Sequence, residues 1–245
     1  MKYNKEKKII FIHIPKCAGT SVRKIFKSWF KEDFSYFYRN GGVYKLRGAE
    51  LTKSSIVFGH FNSNHGNSVD KIMPETDQYI SIFREPLDTH ISAYFYYKKR
   101  FGGMIMNPFY DHINWILKGK FSKGTFEILK RQRNWINKYK NLDDWVKNEP
   151  LSYLNHLPSY VNQENYKKII ENEFLALGIF EELEDSMQRI ADILNKPFKK
   201  NLLPKKNRGR YSYHLDQKIK ENFKKQNILS YAIYEYACEK FYENN

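Results

Sequence analysis

The sequence predicts an α/β domain with three layers and a mainly parallel central sheet, and three apolar runs carry that expectation. The runs are Ile9-Ile10-Phe11-Ile12, YISIF ending at Phe83, and FLALGIF at residues 174–180. The first is unbroken and has the β-branched and aromatic bias of a strand covered on both faces, and the other two read as strands as well. Helical spacing of apolar residues follows each of them, so strands and helices alternate as they do in layered parallel folds. At 245 residues the chain can bury a substantial core, and one domain spanning 1–245 is expected.

The first run passes directly into a turn. Residues 9–21 read IIFIHIPKCAGTS, where Pro15 ends the strand and Gly19 permits close backbone approach. Thr20 and Ser21 are candidate caps for a helix whose apolar positions Val22, Ile25, Phe26 and Trp29 follow. A turn of this kind aims backbone N–H groups at a phosphate or sulfate, and Lys16 adds a point charge. Strand-turn-helix joins also contain Gly and Lys for purely structural reasons, and that alternative stays open on this motif alone. The order differs from GxxxxGK[ST], because Lys16 precedes Gly19, which weakens an ordinary ATPase or GTPase reading.

Further along, residues 56–59 form a short strand ending at His60, followed by a loop rich in Asn62, Asn64, Gly66 and Asn67. The run 79–83 ends at Arg84. Pro86 then suits a first helical turn, and Ile91, Tyr94 and Phe95 give the helix an apolar face. Arg84 therefore sits at a strand's C-terminal end, the edge at which open α/β sheets bind ligands. Pairing of Arg84 with Glu85 or Asp88, with Ser92 facing solvent, is the structural alternative. Residues 102–158 turn aromatic and mostly helical, with Trp115, Trp135 and Trp145. After the strand at 174–180, residues 181–194 place Leu183, Met187, Ile190 and Leu194 on one helical face. Residues 199–213 combine Pro204, Gly209 and clustered bases as a loop, and Leu229, Ala232, Ile233, Tyr236 and Ala237 mark a closing helix. No internal repeat is present.

Charge is the outlying bulk property. The 42 Lys and Arg against 27 Asp and Glu give a formal charge of +15, which predicts attraction to a polyanion. A nucleotide, an acidic glycan, a nucleic acid and peripheral contact with an anionic membrane surface all satisfy it. Cys17 and Cys238 argue for neither a disulfide framework nor a structural zinc site. No nucleophilic role is expected of Cys17, but a helix N-terminus beside Lys16 is a place where a thiol can be acidified and open to modification. No segment approaches the roughly 20 apolar residues of a membrane span, and the N-terminal apolar run is too short for a signal peptide.

HIPKCAGTS resembles the 5′-phosphosulfate loop of the sulfotransferases that use 3′-phosphoadenosine 5′-phosphosulfate (PAPS). It is most similar to the carbohydrate branch, including the heparan and uronyl 2-O-sulfotransferases, whose loop reads HIPKTAGTS or HIPKTGGTT. YISIFREPLDTHIS resembles that family's 3′-phosphate element, with Arg84 and, eight residues later, Ser92. LGIFEELEDSM is similar to its GxxE strand-to-helix element, and LSYAIYEYACEKF to its terminal helix; residues of about 101–158 match least.

The resemblance implies the P-loop-like sulfotransferase fold and PAPS as co-substrate, released as adenosine 3′,5′-bisphosphate, with no metal. It implies donor contacts from Lys16, Cys17, Ala18, Gly19, Thr20, Ser21, Arg84 and Ser92, with Lys206 and Arg208 of the basic loop 205–210 as further clamps, a solvated charge run being the alternative for that loop. The acceptor is expected to be a hydroxyl, most naturally of a carbohydrate that itself carries negative charge, recognised through the variable helical region 101–158; no specific nucleic acid is expected. Lys16 would balance charge on the leaving phosphate. A histidine is the natural neutral-pH base, and His60, in a strand-ending GH context like that of the 2-O branch, is the candidate. A structural role for His60 is the alternative, and His65, His90 or a cleft Glu are rival bases, while His13, just before the loop, is expected to pack against it or orient it. Two departures stand out: Thr89 occupies the position where the carbohydrate branch often has a second Arg, and Cys17 replaces Thr. Golgi relatives begin with a membrane anchor, which these residues do not resemble, so a cytoplasmic, bacterial enzyme is expected. A P-loop-type kinase or other nucleotide-dependent transferase, and a nonenzymatic polyanion-binding protein, are the alternatives.

Overall fold

The computed structural model describes residues 1–40, 43–48, 55–106, 134, 138–203 and 213–243. The basic loop with Lys205, Lys206, Arg208 and Arg210, and also Trp115 and Trp135, lie outside them. The chain divides into two compact units. The first comprises residues 1–89, 151–208 and 227–245 and contains the whole sheet; the second comprises residues 90–150 and 209–226.

Six strands form one sheet in the order β3-β2-β4-β1-β5-β6. These are β1 (Ile9–Ile12), β2 (Phe34–Asn40), β3 (Val43–Gly48), β4 (Ile56–Gly59), β5 (Tyr79–Phe83) and β6 (Phe174–Ile179). The five strands from β2 to β6 pair in parallel, and only the edge strand β3 runs antiparallel to β2. The central strand explains the architecture. Ile9, Ile10, Phe11 and Ile12 are each 0 % exposed, so both faces of the sheet are covered and the domain has three layers. Each such side chain contributes roughly 1.5–3 kcal/mol of apolar burial.

Among the described residues the helices are α1 (Gly19–Phe30), the single turn α2 (Val69–Ile72), α3 (Pro86–Met106), α4 (Leu142–Asn148), α5 (Tyr166–Glu173), α6 (Leu183–Leu194), α7 (Gln217–Gln226) and α8 (Ile228–Glu243). Pro86 opens α3, where its missing N–H is one that no intrahelical carbonyl would accept. Helix α6 packs closely on β6, because Gly178 leaves room for Ser186, whose hydroxyl accepts from Ile179 N–H at 2.8 Å and donates to Ile179 O at 3.0 Å.

The hairpin β2–β3 goes beyond the elements that the apolar runs predict. In β2 the strand FSYFYRN mixes buried Phe34, Ser35 and Phe37 with half-buried Tyr36 and Tyr38, so it shows neither a continuous apolar run nor clean alternation. It pairs Phe34 with Ile56 and Phe37 with Gly59, and it carries Tyr38 towards the C-terminal edge of β4.

The second unit holds an aromatic cluster. His90 lies between Trp145 (5.0 Å) and Phe223 (5.2 Å), and Tyr94, Tyr97 and Tyr139 surround the same indole. Trp145 Nε1 donates to His90 O at 3.2 Å. Among the described residues no helix is long and apolar enough to cross a membrane.

Candidate functional site

The C-terminal ends of β1, β4 and β5 meet at one edge of the sheet. The register pairs Ile12 with both Gly59 and Ser81, so His13, His60 and Arg84 leave their strands close together. His13 N–H donates to Gly59 O at 2.8 Å and His60 N–H to Phe37 O at 3.0 Å, which keeps both residues on the ladder at its last rung.

The loop between β1 and α1 is a tight turn. Lys16 (φ 71°) and Ala18 (φ 57°) both lie in the left-handed region, which L-residues occupy only when their surroundings hold them there. Ala18 is the N-cap of α1, and no side chain caps the helix. Thr20 and Ser21, expected as caps, are instead the second and third helical residues, with Thr20 exposed. Ser21 and Val22 N–H groups donate to Ala18 O, whereas the amides of Gly19 and Thr20 open the first turn, where no intrahelical carbonyl is available. Neither Asp nor Glu stands in that turn, so the positive end of the helix is unopposed from within.

Gly19 is required by close approach. A Cβ there would lie 1.7 Å from His13 Nε2, so the imidazole packs directly against the glycine. His13 Nδ1 and the Tyr38 hydroxyl share a hydrogen bond of 2.8 Å, and Arg23 lies over the Tyr38 ring at 5.5 Å. His13 is thus the wedge between the loop and β4.

Cys17 contradicts the expectation of an acidified thiol. It is 1 % exposed, its N–H donates to Ile14 O within the turn, and burial pushes the thiol up to about 12, against the opposing pull of Arg84. Desolvation outweighs the helix terminus and Lys16. Cys17 is a core residue under the loop, and its side chain reaches the buried Thr89 at the start of α3.

Arg84 joins the two islands. Its Nη1 donates to Lys16 O at 3.2 Å, and its guanidinium lies 4.3 Å from the centroid of Phe180. It does not pair with the neighbouring acids: Glu85 accepts from Asp88 N–H, and the Glu181 carboxylate accepts from Glu85 N–H at 3.1 Å. Arg84 Nε is buried and has no hydrogen-bond partner among the described residues. Burial first, and then the charge of Arg84, lower the Lys16 ammonium below its ordinary range, as two cations facing one space require. Ser92 lies on α3 within the second unit and is buried.

His60 stands on the other side of His13, with ring centroids 4.2 Å apart. Tyr38 meets it edge-on at 4.4 Å, and His156 follows at 5.9 Å. His156 is fixed by donating from Nδ1 to Phe61 O. Burial, then the neighbouring His156, hold the His60 imidazole far below neutrality, at about 3, and its Nδ1 has no hydrogen-bond partner among the described residues. The expected base with a pKa near neutrality is thus, in the resting protein, a deeply neutral imidazole. His13 and His156 are pushed the same way, chiefly by burial. Of the rivals, His65 is exposed on the turn after His60, and His90 belongs to the aromatic cluster of the second unit. Among the described residues no group of His, Cys, Asp and Glu is arranged to hold a metal ion.

Sequence reasoning missed Tyr153, whose buried hydroxyl donates to Arg84 O at 3.1 Å and accepts from Arg84 N–H at 3.4 Å. It lies in the stretch 101–158, where nothing in the sequence marks one aromatic residue above another. Tyr38 escaped along with its strand.

A profile described as the sulfotransferase family matches residues 1–243, and the chain belongs to that family. Its α/β architecture, with five parallel strands and a tight turn from β1 into α1, is the P-loop-like sulfotransferase fold. Among solved structures, the mouse sulfotransferase SULT7A1 complexed with PAP is similar at 11 % identity and a TM-score of 0.39, covering 95 % of this chain and 66 % of that one. The chain therefore spans just under two thirds of that protein's length. No curated protein matches it in sequence.

Proposed function

We propose that the protein transfers the sulfuryl group of PAPS to a hydroxyl of a carbohydrate acceptor, with His60 as general base. The observation that carries this reading is the convergence of Lys16 and Arg84, with a buried unpartnered Nε, on a loop that opens an uncapped helix. Buried polar groups of this kind are rarely left unsatisfied, and an anion is a partner that a guanidinium N–H suits. A phosphosulfate suits the loop amides and Lys16, and the second phosphate of the nucleotide suits Arg84.

Sulfuryl transfer, like phosphoryl transfer, is mostly positioning and electrostatics. The acceptor oxygen attacks sulfur as the bond from sulfur to the 5′-phosphate oxygen breaks. Lys16 and the helix terminus balance the charge that collects on the departing phosphate. The acceptor proton passes to His60, whose neutral form is fully available at physiological pH. A polyanionic donor beside these cations raises the proton affinity of the neighbouring imidazole, which brings His60 closer to the range a base needs. The excess charge of +15 is compatible with an acidic glycan as acceptor, and residues 101–158 are where acceptor choice is expected to reside. Incubation with labelled PAPS and capsular, lipopolysaccharide and glycosaminoglycan acceptors tests this directly. Label in one acceptor class supports it, and label in none, with adenosine 3′,5′-bisphosphate also failing to bind, refutes it.

A further inference from the structure

We propose that Tyr153 and Phe180 are positioning residues that aim Arg84, and that Arg84 in turn holds the backbone of the anion loop, so that one guanidinium serves both phosphate subsites of the donor. This rests on the donor reading above. Tyr153 is 1 % exposed, and its hydroxyl is the single polar atom of an otherwise apolar side chain in the core. That hydroxyl brackets the main chain of Arg84, accepting from N–H and donating to C=O where β5 has ended. It supplies the partners that a neighbouring strand would otherwise supply, and so fixes the backbone from which the long side chain departs.

Phe180 acts on the other end of the same residue. Its N–H donates to Phe83 O at 2.7 Å, which locks the ends of β5 and β6 in register, and its ring supports the guanidinium face. With the backbone, the ring and the Nη1 bond to Lys16 O all fixed, the planar fork has one orientation. The buried Nε edge is what remains for an anion. The bond to Lys16 O matters separately, because Lys16 adopts a left-handed backbone conformation that L-residues rarely take, and Arg84 captures its carbonyl in that state.

The test compares two ligands by calorimetry: adenosine 3′,5′-bisphosphate and adenosine 5′-phosphate, which lacks the 3′ group. The ratio of their dissociation constants measures the 3′-phosphate increment. Arg84→Ala is expected to reduce that increment about 10- to 100-fold and also to weaken the 5′-phosphate ligand, because the loop loses its tie. Tyr153→Phe and Phe180→Leu, which leave Arg84 in place, are expected to reduce the increment by at least about threefold while the proteins still melt cooperatively. Wild-type increments in both variants, with Arg84→Ala deficient, overturn the inference and leave the donor reading standing. No increment in the unmodified protein, or one that survives Arg84→Ala, overturns both. If Tyr153→Phe fails to fold, Phe180→Leu decides by the same ratio.

Discussion

The edge of the sheet has a cationic half and a neutral half, separated by one imidazole ring. After β1 and β5 stand Lys16 and Arg84; after β4 stands His60, backed by His156. Burial acts on both halves in the same direction, by disfavouring the charged form. A lysine can be lowered from its ordinary value of 10.5 and stay protonated, whereas burial drives a histidine from 6.5 to about 3 and leaves it uncharged. One physical cause therefore leaves a cationic wall and, beside it, an uncharged one, which under the proposed function attract the anionic donor and accept the acceptor's proton. His13 is the partition, pressed against Gly19 on one side and His60 on the other.

The comparison breaks first under acid. His60, His156 and His90 are lowered to about 3, 4 and 4, and His13 is lowered as well, so between these values and about 6.5 the unfolded chain binds more protons than the folded one. Stability is then fully present above pH 6.5 and is lost as pH falls, by up to about 2 kcal/mol per histidine at pH 5. Thermal melts from pH 7 to pH 5 should show a steep fall in Tm; a flat profile would mean that the imidazoles are hydrated and the neutral half does not exist.

Next in size is the effect of His60→Ala, expected to lower turnover by about 10² to 10⁴ while nucleotide affinity is retained. In the donor-free protein His60 is already deprotonated near neutrality, so the pH profile of kcat/KM for the donor should lack an acidic limb there from this group. A stable variant with near-normal turnover shifts the base to His65 or a carboxylate. Smaller, and aimed at the partition, is Gly19→Ala. The His13 ring is held by Tyr38 and lies 5.4 Å from Phe58, so it has little room to retreat. Overpacking of about 1–3 kcal/mol is expected, with weaker donor binding and slower turnover appearing together. Loss of only one function in Gly19→Ala would show that the halves are independent.

The cationic half was largely legible in the sequence, because strand, turn and helix are local and their order is written in contiguous residues. Ile9–Ile12, Gly19 and Arg84 fall where the runs predict them. The neutral half was legible only as a residue name. Whether His60 is charged depends on burial and on His156, which is distant in the chain, and neither is a local property. The same reason explains Cys17: helix terminus and Lys16 are adjacent in sequence, but the desolvation that dominates its thiol comes from the packed core. Tyr153 and the β2–β3 hairpin carried no periodic signal, since tertiary contacts give them their roles.

The most direct test of the account is a competition between adenosine 3′,5′-bisphosphate and ATP for the protein, measured by calorimetry with a chelator present and repeated with magnesium. A site built from an anion loop plus a second, separate cation predicts that the bisphosphate binds without metal and that ATP displaces it poorly in either condition. Tight, magnesium-dependent binding of ATP that excludes the bisphosphate would contradict it.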